Sequence, residues 1–265
     1  MLLVGTSGFK YRDWKGVFYP PGISERNLLA FYSQVFPVVE LDFSYYHMPG
    51  AKTMGALQGK TPDGFVFCVK AHRSMTHETG SASAQWEAFR AFNSAIEPMA
   101  ISGKLGCVLL QFPWRFRPGH LETSYLARCR DLLGNAPAVV EFRNSQWLTE
   151  DTFRALRDLG FGFCCVDEPR LKDLVPPVVA ATSAVGYVRF HGRNAAKWWK
   201  HENASERYDY LYCDEELRAW VPRLRALERK TGTTFVFFNN CHEGKASVNA
   251  IRLGEMLRGR EGEIL

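Results

Sequence analysis

Ionisable residues recur in this chain at alternate positions where short apolar runs end, the spacing that puts side chains on one face of a strand. Glu40, Asp42 and Ser44 form one such set. Lys70 with His72, Glu141 with Arg143, and Arg189 with His191 form three more. Gln111, Asp167 and Asn239 each close a further apolar run. Charged groups face an apolar layer only at high cost, so these residues are expected to converge where the strands leave the core. Several kinds of chemistry suit such a ring. Glu141 and Asp167 can act as general base and His191 as acid. Lys70, Arg143, Arg189 and Arg193 can hold anionic oxygens, arginine through its planar fork. Glu40, His72, Glu141, Asp167 and His191 carry donor atoms suited to a divalent metal, zinc or manganese. Against a metal, cationic residues alternate with these donors, and neither an H-E-x-x-H motif nor a clustered Cys/His spacing occurs. A glycosidase would use two carboxylates such as Glu141 and Asp167, a pairing that any barrel with acids on neighbouring strands offers. The same acids and bases could also neutralise one another, but buried ion pairs add little net stability, which favours a ligand site.

The segments after these runs carry a second theme. Tyr11 and Trp14 lie among Lys10, Arg12 and Lys15; Trp114 precedes Arg115 and Arg117. Trp198 and Trp199 lie between Lys197 and Lys200, with Arg207 and Tyr208 following. Bases beside aromatic rings suit phosphates and flat rings, as in nucleotides or single-stranded nucleic acid. In an extended loop Trp198 and Trp199 would point apart, so only one would face a pocket. Tyr11, Trp14 and Trp198 are expected to shape the substrate wall, with Asn239 among the binding groups. His47 and His77 read as loop or core histidines. No G-x-S-x-G, Walker or dinucleotide motif occurs, and adjacency of Cys241 and His242 does not by itself activate a thiol.

The elements that must position these groups follow from the apolar pattern. Eight short runs read as strands: Leu2–Thr6, Val38–Phe43, Phe65–Ala71, Leu105–Phe112, Ala138–Phe142, Gly162–Val166, Val185–Phe190 and Thr234–Phe238. Their nearly continuous apolar character fits strands buried on both faces. Helical patterns lie between them, over Gln85–Ile101, Leu121–Leu133, Glu150–Leu159 and Ala246–Leu257, with a short one from about Ala51. Ser24 and Asp214 are expected to cap two further helices, and Gly134, Gly160 and Gly232 to end helices in the left-handed conformation. The stretch after Asp167, with Pro169, Pro176 and Pro177, reads as loop. Eight strands alternating with helices predict a TIM (β/α)8 barrel, with long loops at the carboxyl ends of the strands carrying the site.

The chain has 265 residues, 46% hydrophobic and 23% charged, which are globular values and predict one domain over residues 1–265. The net charge of +5 permits an anionic ligand without demanding one. No apolar run approaches the roughly 20 residues needed to span a bilayer, and the opening residues read as a strand rather than a signal peptide. Seven scattered cysteines with no C-x-x-C point to reduced, buried thiols and a cytoplasmic protein without a membrane partner.

One ordered set of motifs resembles the YecE-like domain-of-unknown-function family. It runs from Thr6-Ser7-Gly8-Phe9-Lys10-Tyr11-Arg12-Asp13-Trp14 through Glu40-Leu41-Asp42-Phe43-Ser44-Tyr45-Tyr46, Gln111-Phe112-Pro113 and Glu141-Phe142-Arg143 with Trp147. Arg189-Phe190-His191-Gly192-Arg193-Asn194 and Asn239-Asn240 follow in the family's order. The resemblance covers nearly the whole chain and implies a TIM barrel similar to those of apurinic-site endonucleases and xylose isomerases. The chain departs from the family's pattern at Asp42, where Asn is common, and at Asn144, where His is common. The function expected from these readings is a hydrolase or lyase acting on a phosphate-bearing substrate, nucleic acid or a sugar phosphate. The alternative is a non-catalytic binder of phosphate, nucleotide or nucleic acid.

Overall fold

The computed structural model describes residues 1–259. Eight parallel strands close into a barrel in chain order: β1 (Leu2–Ser7), β2 (Val38–Leu41), β3 (Val66–Lys70), β4 (Leu105–Gln111), β5 (Ala138–Glu141), β6 (Gly162–Asp167), β7 (Val185–Phe190) and β8 (Thr233–Phe238). Closure is made by β8 pairing with β1, Phe238 standing opposite Thr6. Each expected strand is present within two residues of its predicted bounds.

Helices cover the outside: α1 (Leu28–Val35), the one-turn α2 (Phe43–Tyr46), α3 (Ala51–Gln58), the one-turn α4 (Arg73–Thr76), α5 (Ala82–Ile101), α6 (His120–Leu133), α7 (Glu150–Asp158), α8 (Asp214–Glu228) and α9 (Lys245–Arg258). Among the described residues no helix lies between β6 and β7, as the prolines there require. Two of the expected caps differ. Ser24 opens a 3-10 turn, Glu25–Asn27, with no side-chain capping bond, so α1 starts only at Leu28. Asp214 is the first residue inside α8, where Arg252 draws its carboxylate at 2.9 Å. Gly134 and Gly160 take positive φ at helix ends, but Gly232 does not; its amide instead donates to the Ala184 carbonyl, 2.8 Å, and leads into β8.

Two apolar layers follow from the two-residue period of the strands. Val38, Cys68, Cys107, Leu109, Val139, Cys164, Val166, Tyr187, Phe235 and Phe237 fill the barrel interior. Their strand neighbours Val39, Val69, Val108, Val140, Cys165, Val188 and Val236 face the helices. Continued along each strand, this parity sends Ser7, Glu40, Lys70, Gln111, Glu141, Arg189 and Asn239 inward at the carboxyl end. Six cysteines are buried and Cys213 is exposed, all unpaired. No helix among the described residues is long and apolar enough to cross a membrane.

β1 approaches the backbone of β2 closely at Gly5. A Cβ on Gly5 would lie 2.1 Å from the Val38 carbonyl oxygen, a contact that only backbone movement relieves. Gly5→Ala is therefore expected to destabilise the fold by about 1–3 kcal/mol, the cost of overpacking, read as a lower urea midpoint at unchanged slope.

Candidate functional site

Arg189 is the hub of a buried network at the carboxyl ends of the strands. Its Nη1 donates to Glu141 Oε2 at 2.7 Å, and its Nη2 donates to Glu40 Oε1 at 2.7 Å and to Ser7 Oγ at 3.4 Å. Tyr187 donates its hydroxyl to the other oxygen of Glu40, 2.6 Å. Glu141 Oε1 receives His191 Nε2 at 3.1 Å and lies 2.6 Å from Arg143 Nε. Asn239 Nδ2 stands 3.0 Å from His191 Nδ1. An amide N–H donating there leaves the imidazole proton on Nε2, aimed at Glu141, which defines a neutral tautomer. Lys70 Nζ lies 3.0 Å from Asp42 Oδ1 and 4.5 Å over the Tyr45 ring.

The electrostatics follow from these contacts. Burial alone would raise the Glu141 carboxyl; Arg143, Arg189 and His191 outweigh it and hold the group well below its usual range. Burial, reinforced by the charge of Arg143, pushes His191 down to about 3, so it is a neutral hydrogen-bonding group. Glu168, at the start of the loop after β6, behaves differently. Its Oε1 accepts from the Val175 amide at 3.0 Å, and its Oε2 meets Arg143 Nη1 at a looser 3.3 Å. Burial raises it to about 7, Arg143 opposing and Glu141 adding to the rise. Burial dominates, and the balance of charges runs the same way. Four carboxylates (Glu40, Asp42, Glu141, Glu168) face three cations (Lys70, Arg143, Arg189), all of them in the ion pairs above. One proton neutralises the set, and it goes to the acid with the longest contact to a cation.

Of the residues singled out in the sequence, the structure brings Glu40, Lys70, Glu141, Arg143, Arg189, His191 and Asn239 together. Asp167 stands outside the group. Val166 points inward, so Asp167 points out, where Arg193 Nε and Nη2 each donate to it at 2.7 Å and Trp220 Nε1 at 2.8 Å. Tyr212 completes its shell at 2.9 Å. Arg193 is thereby a clamp between Asp167 and Glu216 rather than a group facing the mouth. His72 caps α4 with Nδ1 2.8 Å from Ser74 Oγ, apart from the other donor residues. Trp14 is fully buried, its Nε1 donating to the Cys241 carbonyl and its ring stacked under Tyr11, whose own ring does line the mouth. Glu168 was missed; the inward parity of Cys164 and Val166 is the signal that points to position 168 rather than 167.

A divalent cation does not fit these donors. Glu40 and Glu141 share one guanidinium, and Asp42, Asp167 and Glu168 each contact a cationic side chain. Among the described residues no three His, Cys, Asp or Glu side chains converge as a metal site requires.

Above the network lies a pocket of about 290 Å³. Lys70, Arg143, His77 and Gln111 line it from below, and Tyr45, Trp114, Trp198 and Trp199 form walls. Both tryptophans reach it because the chain turns over residues 195–200 instead of running extended, leaving Trp198 2% and Trp199 53% exposed. Arg207 lies 5.4 Å over the Trp198 ring and donates to the Trp198 carbonyl. His77 is a mouth residue after all, pushed down to about 4 by burial and by the charges of Lys70, Arg115 and Arg143.

A closed eight-stranded parallel barrel with helices between its strands defines a TIM-barrel protein. The chain belongs to the family described as "protein of unknown function DUF72", whose model matches residues 3–264. UPF0759 protein YunF of Bacillus subtilis is 34% identical over 270 residues, covering 97% of this chain and 95% of that protein. A DUF72 family protein from Thermotoga maritima has a TM-score of 0.89 at 39% identity, covering 97% of this chain and 99% of its own. SacUVDE, at 8% identity and a TM-score of 0.58 over 97% of both chains, shares the fold alone.

Arg189→Met leaves Glu40 and Glu141 buried without their shared cation and is expected to cost about 3–5 kcal/mol in urea unfolding. Glu168 gives a sharper test. Burial raises its carboxyl from 4.5 to about 7, so across that interval the folded chain keeps a proton that the unfolded chain has lost. The stability this proton carries is fully present below about pH 4.5 and is lost as the pH rises to about 7. Glu168→Gln should match the wild type near pH 5 and exceed it at pH 8 by on the order of 2–3 kcal/mol, measured by urea unfolding at both pH values.

Proposed function

We propose that this chain is a barrel enzyme, a hydrolase or lyase, that takes a phosphate-bearing substrate in the mouth pocket. One observation carries the reading: the Lys70 ammonium and the Arg143 guanidinium share the floor of one pocket, their side chains only 10% and 12% exposed. Among the described residues Arg143 Nη2 makes no hydrogen bond, and Lys70 holds one carboxylate with donors to spare. Both cations already face carboxylates, so an anion would be held through their unused N–H donors rather than by net charge. The indole and phenol walls suit the ring or sugar of a larger ligand.

Glu168 supports the chemical half of the reading. A carboxyl raised to about 7 is poised to give and take a proton near neutrality. Among the described residues its one cationic contact is Arg143. An anion that draws Arg143 forward strips that contact and raises the carboxyl further, so substrate binding loads the proton the reaction needs. A second reading, a non-catalytic phosphate, nucleotide or nucleic-acid binder, is favoured by one fact. Both oxygens of Glu141 and both ring nitrogens of His191 are already engaged within the protein.

Tryptophan fluorescence of the wall tests binding, with inorganic phosphate as the first probe. Arg143→Lys, which keeps the charge and loses the fork, should weaken phosphate about tenfold or more, and Lys70→Gln similarly. A panel of phosphomonoesters and phosphodiesters tests turnover, which Glu168→Gln should abolish while binding persists. Binding with no turnover across the panel selects the second reading; no phosphate binding overturns both. Affinity for an oligonucleotide should fall steeply with salt and affinity for a monophosphate gently, which separates polymeric from small ligands.

A further inference from the structure

A second cavity of about 730 Å³ opens beside the basic pocket, and Tyr46 and Tyr208 line both, so the two share a wall. Its sides are Phe9, Tyr11, Leu41, Phe43 and Leu57. Two of its large rings are left uncovered, Phe43 at 36% and Tyr46 at 57% exposure. Two polar groups that line it, Asp42 and Asn239, present acceptors. Asp42 turns Oδ1 to Lys70 at 3.0 Å, while its side chain is 24% exposed and its Oδ2 makes no hydrogen bond among the described residues. Asn239 commits its amide nitrogen to His191, and among the described residues its carbonyl oxygen makes no bond. Lys10, at the rim, is engaged by Glu25 at 2.6 Å.

We infer that the mouth is bipartite: the substrate whose phosphate sits on Lys70 and Arg143 places a planar ring bearing N–H donors in this second cavity, which makes it a nucleotide with an amino-substituted base. The inference rests on the phosphate reading above and adds the identity of the group attached to it. Aromatic walls stack on either face of a flat ring. Two acceptors in the lining select a ring that donates, because a ring without N–H groups would cover them and leave them unpaired. A purely apolar occupant is excluded by the same cost, and a second anion by the Asp42 carboxylate.

The test compares inorganic phosphate, adenosine monophosphate and the monophosphate of purine riboside, which lacks the exocyclic amine, by the same fluorescence titration. Adenosine monophosphate is expected to bind at least tenfold more tightly than inorganic phosphate, with the deaminated analogue between them. Thr53 lines the cavity from α3 and is exposed, so Thr53→Trp fills the space without touching the core. In that variant the advantage of adenosine monophosphate over phosphate should fall to about unity. Phosphate binding with no gain from the base, or a gain that survives Thr53→Trp, overturns the bipartite site and leaves the phosphate reading standing. Failure of the wild type to bind inorganic phosphate overturns the reading beneath and this inference with it.

Discussion

A single guanidinium stands between two buried carboxylates, and the upper half of this barrel is organised around it. Glu40 comes from β2, Glu141 from β5 and Arg189 from β7, so the contacts run across the barrel interior rather than along neighbouring strands. Each group buried alone would face a large desolvation cost. Each is therefore tolerable only when strand register brings all three to the same height. The apolar layers below, from Val38 to Phe237, set that register; the Tyr187 hydroxyl among them reaches up to Glu40. The ion network is in this sense a test of register that the packed interior has to pass.

The network also determines where charge is left over. With His191 held neutral, acids outnumber bases by one, and the surplus is borne by Glu168 at the loop end of β6. Arg143 links that surplus to the pocket, because its Nη1 contacts Glu168 while its side chain lines the mouth.

A separate clamp holds the roof. Asp167, pointing away from the interior, gathers Arg193, Tyr212 and Trp220, and so ties the long segment after β7 to α8. That segment carries Trp198, Trp199 and Arg207, which wall the basic pocket, and Tyr208, which lines both cavities. Asp167 thus fixes the loop, while Glu168 next to it meets Arg143 at the barrel mouth. The two adjacent acids differ in role because a strand sends successive side chains to opposite faces.

The barrel was legible in the linear order of residues because each strand and helix leaves a local signature, an apolar period and its punctuation, and because eight alternations admit few topologies. The inward acids and bases at positions 40, 141, 143, 189 and 191 were legible for the same reason, as was the family through its ordered motifs. Which acid is free was not. That depends on pairings between strands far apart in sequence, such as Glu40 with Arg189, and on the net charge of the assembled set. Nor was the destination of Asp167 or of the two adjacent tryptophans, since one follows from parity carried past the strand end and the other from a turn in a loop with no period. Local pattern determined the elements and the face each presents; distances across the closed barrel decided which charges cancel and which remains to act.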